Sequence, residues 1–257
     1  MTNKHSASNI RLEHLSENSL ILIWPEKICS RQHQEIIAHQ AKIKQLLNKW
    51  LIETIVSYNS LIIYYALDKI CSEKFIAKVD QLITTATVMH SPRQTDESTE
   101  LALLTIPVYY GDDAGWDLNW LAKQCQLTHQ EIIHLHSQKT YRAYALGFTP
   151  GFCYLGTLDE KLWQPRKKSP RLSVPAGAVA IAEQQSAIYP SSSPGGWHII
   201  GQTPIKMYRV NHTEHSNNAI QVDFTPKISL GQKIRFQPIN YQEFCQLGGQ
   251  LSLISEV

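Results

Sequence analysis

The chain has 257 residues, 43% of them hydrophobic and 18% charged, and a net charge of +2. This is the composition of a globular protein with room for one large or two modest cores, and it excludes a disordered chain. So small a basic excess also excludes general nucleic-acid binding, which needs many cations set against phosphate.

Ile10–Leu15 and Leu20–Trp24 read as a strand pair turning at Ser16–Ser19. A helix is predicted from about Arg31, with Ser30 as N-cap and a buried stripe of Ile36, Ile43, Leu47 and Trp50 at helical spacing. Thr54–Tyr58 and Leu61–Tyr65 are β-rich runs divided by Asn59-Ser60, a turn signal. A second helix runs from Ser72 to about Ala86, with Phe75, Ile76, Val79, Leu82, Ile83 and Ala86 on one face. Together these predict a small N-terminal α/β sandwich over residues 1–89, helices packed on a mixed or antiparallel sheet. Residues 90–100 are polar, contain Pro92 and lack aliphatic side chains, so they read as a linker.

The second domain, 101–257, opens with a strand at Leu103–Tyr110, a turn at Gly111-Asp112-Asp113 and a helix near Trp116–Gln126. Thr128-His129-Gln130-Glu131 is a capping box that starts a short helix through Ile132, Ile133 and Leu135. Short β-rich runs then alternate with Gly/Pro turns: Tyr141–Gly147, Val179–Ile181, Ile199–Ile200, Ile205–Val210, Ile220–Phe224 and Lys233–Pro238. This texture predicts a closed or sandwich-like β architecture.

Five widely spaced cysteines with no C-x-x-C read as reduced thiols, not as a disulfide framework or a zinc site. The first residues hold no apolar h-region, and no run approaches the ~20 apolar residues of a membrane span. A cytoplasmic protein without a membrane partner is expected. His134 and His136 sit i, i+2 on a helix and point apart, and no metal site is expected from the eleven histidines.

Between residues 139 and 209 nine basic side chains face three acidic ones. The excess fits a surface that meets a carboxylate or phosphate, and equally a solvated basic face balanced elsewhere. Thr149-Pro150-Gly151-Phe152 and Ser193-Pro194-Gly195-Gly196 each place Pro at i+1 and Gly at i+2, the chemistry of a type II turn. Such corners direct Phe152, Tyr154 and Trp197, and with Pro165-Arg166 and Pro170-Arg171 they could frame a pre-organised hollow. A β-barrel also needs tight corners and aromatic plugs. Arg166 and Arg171 carry forks suited to an anion, against the alternative of structural pairing. His136 near a helix end suits the dipole, or a proton carrier. His198 follows Trp197 and could titrate near a pocket or simply alternate outward. Tyr154, Tyr189 and Trp197 suit a wall better than chemistry. Gly196–Thr203 has Walker A spacing, but Gln202 stands where lysine is required, and Ile205-Lys206-Met207 lacks the first methionine of a biotin attachment site.

The ordered string GFTPGFCYLG, PR, PR, VPAG, IYP, SPGGW and IGQTP, across 147–204, resembles one family. It is the family of KipI, the B-type 5-oxoprolinase subunit (PxpB) and allophanate hydrolase subunit 1 (carboxyltransferase domain, subdomains C and D). Ile106–Gly111, Asp117-Leu118 and His136 resemble the same family's lead-in. One departure stands out: Glu183 and Ala187 replace glycines in the run before Tyr189-Pro190. The resemblance implies an α+β protein with a cyclophilin-like β-barrel after the N-terminal domain. It implies one component of an ATP-dependent 5-oxoprolinase, inactive alone, that opens 5-oxo-L-proline to L-glutamate. The partners would be a homologous barrel protein of the KipA type (the C-type component) and a LamB/YcsF-type subunit, with ATP bound at the level of the complex. A KipI-type inhibitor of a sensor histidine kinase, or part of a biotin-dependent carboxyltransferase for a urea-like amide, are the alternatives. The expected site comprises His136 as catalytic group, with Arg166, Arg171, Phe152, Tyr154, Gln185, Tyr189, Gly195, Gly196, Trp197 and His198 around a small-molecule substrate or anion.

Overall fold

The computed structural model describes residues 3–4, 10–25, 28–88, 101–214 and 220–251. The chain divides into two compact units, 1–100 and 101–257. The linker expected at 90–100 lies outside the described residues.

The first unit runs β1 (Asn3–Lys4), β2 (Arg11–Ser16), β3 (Ser19–Ile23), α1 (Ser30–Leu47), β4 (Leu51–Val56), β5 (Ser60–Tyr65) and α2 (Ser72–Val88). The sheet order is β1-β2-β3-β5-β4, antiparallel throughout. Leu20 and Leu22 on β3 and Leu61, Ile63 and Tyr65 on β5 are fully buried, one side of each strand. The helices return Ile36, Ile43, Phe75, Val79 and Ile83 to the core, each such burial contributing roughly 1.5–3 kcal/mol. Tyr65 stacks on Phe75 at 4.2 Å.

Two local expectations change. Ser30 is the first helical residue, and the N-cap is Cys29, which makes no side-chain cap bond. Trp50 leaves the helical stripe because α1 ends at Leu47 and a 3₁₀ turn, Asn48–Trp50, follows. Tightening the turn rotates the indole off the stripe, and Lys49 and Lys78 lie over it at 4.2 and 5.0 Å.

The second unit continues with β6 (Leu104–Tyr109), α3 (Leu118–Cys125), α4 (His129–Ser137), β7 (Thr140–Leu146), β8 (Cys153–Gly156), β9 (Arg171–Val174) and β10 (Ala178–Ala182). It ends with β11 (Gln185–Ile188), β12 (Ser193–Gly195), β13 (His198–Gln202), β14 (Tyr208–Glu214), β15 (Ile220–Pro226), β16 (Lys233–Ile239) and α5 (Tyr241–Gln246). Seven strands close a barrel in the order β10-β11-β8-β7-β16-β6-β13. Every pair is antiparallel except β16 with β6. Alternation sends Val179, Ile181, Ile188, Ile200, Leu155 and Phe236 into one core with Leu118, Leu121 and Ile132 from α3 and α4. The capping box at Thr128 and Glu131 forms as read. β9 pairs with β12, and β14 with β15, as separate two-stranded ribbons.

The turn at Thr149–Phe152 is type II: Gly151 has φ +84°, and the Phe152 N–H donates to the Thr149 carbonyl at 3.0 Å. The second expected turn is not a turn. Ser193–Gly195 is strand β12, and Gly195 lacks a positive φ. Glycine stands there for space: a Cβ would lie 2.1 Å from the Tyr189 hydroxyl oxygen.

Candidate functional site

The site is built on the face of β10, β11 and β13 that looks away from the main barrel core. Ala178, Ala180 and Ala182 of β10 and Ala187 of β11 form a floor of small side chains. Because the floor has no bulk, large rings can lie on it. Phe152, Tyr189 and Trp197 do so, all buried, with Tyr154 and Trp116 half-buried against them. Phe152 meets Tyr154 edge-on at 4.9 Å, Tyr189 at 5.6 Å and Trp197 at 6.2 Å. Gln185 opens β11 on the same face as Ala187 and Tyr189 by strand alternation. Burial pushes the Tyr189 phenol up to about 12, against smaller opposing effects of the Trp197 backbone, Arg166 and Arg171. Tyr189 therefore stays a neutral hydroxyl.

Over this cluster stands a cationic loop, and Asp117 organises it. Asp117 precedes α3, is 4% exposed, and receives both guanidinium nitrogens of Arg171 at 2.8 Å. Its oxygens also accept the Ile199 backbone N–H at 2.7 Å and the Lys167 ammonium at 3.2 Å. Burial raises the Asp117 carboxyl. Hydrogen bonds from Arg171 and Ile199, with the charges of Arg171 and Lys167, outweigh it, so the group is held below the usual carboxylate range. The Lys167 N–H further donates to the Gly196 carbonyl at 2.8 Å, tying the loop to the end of β12.

Arg166 and Arg171 thus have different fates. Arg171 is spent on Asp117 and leans on Trp116, 5.6 Å from the ring centroid. Arg166 is exposed, makes no ion pair among the described residues, and lies 5.7 Å over the Trp197 ring. Lys167 and Arg171 share the one carboxylate of Asp117, and Arg166, next to Lys167 in the chain, pairs with no acid among the described residues, so the loop keeps positive charge to offer an anion.

The two histidines fall elsewhere. His198 faces the side opposite Trp197, stacked on Trp120 at 4.3 Å and 6°. Its Nε2–H donates to the Pro165 carbonyl at 2.8 Å, which leaves Nδ1 as the acceptor, buried and without a partner among the described residues. Burial, ahead of opposing effects from Pro165 and Asp117, lowers its pKa, so it is a neutral ring that anchors the cationic loop. His136, expected as the catalytic group, is fully buried inside the barrel. Ser186 Oγ donates to the Ala180 carbonyl and so accepts from His136 Nε2–H at 2.9 Å, while His136 Nδ1 accepts the Tyr110 hydroxyl at 2.8 Å. Burial pushes its pKa down to about 3. With both nitrogens engaged away from solvent, His136 holds the barrel interior together and does not sit with the aromatic cluster.

Of the expected residues, the structure brings together Phe152, Tyr154, Gln185, Tyr189, Gly195, Trp197 and Arg166. Gly196 and Arg171 join as supports. The site residue absent from the expected set is Asp117, read in the sequence only as part of the family's lead-in; its further signal is an acid directly before a helix, far in sequence from a stretch rich in cations. Among the described residues no group of three or more His, Cys, Asp or Glu side chains lies close enough to hold a metal, and no helix is long and apolar enough to cross a membrane.

Residues 10–217 match the family described as carboxyltransferase domain, subdomain C and D. The B-type subunit of 5-oxoprolinase from Bacillus subtilis (strain 168) is 32% identical over 202 residues, 77% of this chain and 84% of that relative. The solved structure of TTHA0988 superposes with a TM-score of 0.68 at 26% identity, covering 86% of this chain and 40% of that one, so this chain spans less than half of that protein. The Kluyveromyces lactis urea carboxylase shares the fold, with a TM-score of 0.70 at 13% identity over 96% of this chain and 23% of the larger protein.

Proposed function

The chain belongs to the family of the carboxyltransferase domain, subdomain C and D, and on that premise we propose that it acts as the B-type component of an ATP-dependent 5-oxoprolinase, opening 5-oxo-L-proline to L-glutamate with subunits of the KipA and LamB/YcsF types. The similarity to a 5-oxoprolinase component of the same type, over most of both chains, supports this reading. The observation that carries it at the site is Arg166, an exposed guanidinium with no ion pair among the described residues, lying over the Trp197 ring beside a buried aromatic wall.

A lactam carbonyl resists water at neutral pH. Phosphoryl transfer from ATP to its oxygen, with ADP leaving, makes the ring carbon electrophilic. Water can then open the C–N bond and phosphate departs. The part this chain suits is electrostatic: Arg166, with Lys167 beside it, steadies the substrate carboxylate or the charge growing on the phosphoryl oxygens. The aromatic wall offers the ring a dry face. His136 and His198 are both engaged as neutral supports, which favours a reaction centre completed by a partner protein. The test is glutamate release from 5-oxoproline by the chain mixed with its partners, with each component omitted in turn. Release that persists without this chain would overturn the proposal.

A further inference from the structure

A hollow not lined by Arg166 lies between the base of the β14–β15 ribbon and the corner at Pro175–Gly177. It encloses about 990 Å³. Lys206, Arg209 and Lys227 line it, with Tyr208, Ala176 and Pro190. No acidic side chain does so, and the three cations make no ion pair among the described residues. Asp223 stands across the ladder from Asn211, which also lines the hollow, and is itself outside the lining.

The hollow is pre-formed. Gly177 has φ +81°, and its carbonyl accepts the Thr203 N–H at 2.9 Å. Gln202 Nε2 donates to the Ala176 carbonyl at 2.9 Å, and the Lys227 N–H donates to the Met207 carbonyl at 2.8 Å.

Next to it, sharing Pro226, is a hollow of about 460 Å³ with Phe148, Pro150, Phe152 and Phe224 in its wall. Phe148 is 63% exposed and held at φ +76°, an unfavourable backbone for phenylalanine. Phe224 is 47% exposed and meets Tyr208 of the first hollow edge-on at 5.5 Å. Aromatic edges therefore run from one hollow into the other.

We propose that the two adjoining hollows form one binding site for a nucleoside polyphosphate, with the phosphates on Lys206, Arg209 and Lys227 and the base against Phe148 and Phe224. A cluster of ammonium and guanidinium groups without acids suits phosphate. An exposed aromatic pair suits the flat face of a base. The volumes fall in the range of small-molecule sites. This gives the nucleotide that the proposed reaction consumes a seat on this chain, and in that respect it rests on the functional reading, while binding is measured without turnover.

The test titrates the full chain into ATP carrying a methylanthraniloyl fluorophore and reads anisotropy. Saturable binding, displaced by unlabelled ATP and by tripolyphosphate, is expected. The triple variant Lys206→Ala, Arg209→Ala, Lys227→Ala should weaken it at least about tenfold. Phe224→Ala should weaken ATP by about fivefold and leave tripolyphosphate unaffected, since it removes only the base contact. All four side chains are exposed, so an unchanged melting temperature certifies the fold. Absence of saturation, indifference to the triple variant, or displacement by polyglutamate as effective as by tripolyphosphate overturns the inference; the last points to an acidic protein segment. ATP binding without lactam turnover in the complex would sink the functional reading alone. Turnover without ATP binding by this chain would sink this inference alone.

Discussion

Asp117 and Arg171 form a two-pronged pair, each carboxylate oxygen 2.8 Å from a guanidinium nitrogen, across 54 residues of sequence. The pair joins the start of α3 to the first residue of β9, and through the Ile199 N–H it also grips β13. A carboxylate this buried is stable as a charge only because its partners are fixed. Asp117→Asn should therefore destabilise the protein by roughly 2–4 kcal/mol in urea unfolding at pH 7. Combined with Arg171→Gln, the loss should be clearly less than the sum of the single losses. Because the folded pKa of Asp117 is depressed, its contribution is present above the usual carboxylate range and fades as pH falls below it.

His136 predicts a different pH window. Its folded pKa is about 3, below the ordinary 6.5, because burial disfavours the charged ring. Between those values the unfolded chain binds the extra proton, so stability is full above pH 6.5 and declines as pH falls toward 3. This group alone should remove on the order of 2 kcal/mol between about pH 6 and 4. His136→Gln, which can keep a donor and an acceptor, should be less stable at about pH 7.5 yet lose less between about pH 6 and 4. His198 and Asp117 titrate alike in both proteins, so the difference in unfolding free energy between them isolates His136. Parallel curves would contradict the assignment.

Changing Glu183 and Ala187 to the glycines that the resemblance implies should act in opposite directions. Glu183 sits at φ +52° in the β10–β11 hairpin, with its N–H donating to the Gln164 carbonyl at 2.6 Å. Glu183→Gly should stabilise by about 1 kcal/mol by relieving a left-handed backbone. Ala187 is buried in a regular strand under the aromatic rings. Ala187→Gly should destabilise by about 1 kcal/mol, since it loosens the strand and opens a gap. Thermal unfolding of the two single variants checks both signs.

Much of the fold is legible in the sequence where one local rule dominates. The Thr128–Glu131 capping box, the α1 stripe of Ile36, Ile43 and Leu47, and Phe75, Val79 and Ile83 of α2 read true, as do β2 with β3 and the Gly151 corner, because propensity and packing agree there. β8 and β11 do not stand out as strands: Cys153–Gly156 and Gln185–Ile188 are only four residues each, with glycine, glutamine and serine among them. The helix at Tyr241–Gln246 escapes the strand-and-turn reading of this region, although Asn240 with Glu243 is a readable cap. At the site, the aromatic set and Arg166 are legible as rings and cations between fixed corners. The roles of His136, His198 and Arg171 are not, since each is decided by a partner at least 26 residues away in sequence. Gly195 misleads because a glycine kept for a neighbour's hydroxyl looks, in sequence, like one kept for a turn.

The most direct measurement is glutamate formed from 5-oxoproline and ATP by the reconstituted complex, comparing wild type with Arg166→Ala. Arg166 is exposed and makes no ion pair among the described residues, so its removal should leave the melting temperature unchanged while turnover falls at least about tenfold. Full turnover with Arg166→Ala, in a complex that still needs this chain, would contradict an anion-steadying role for the guanidinium over Trp197.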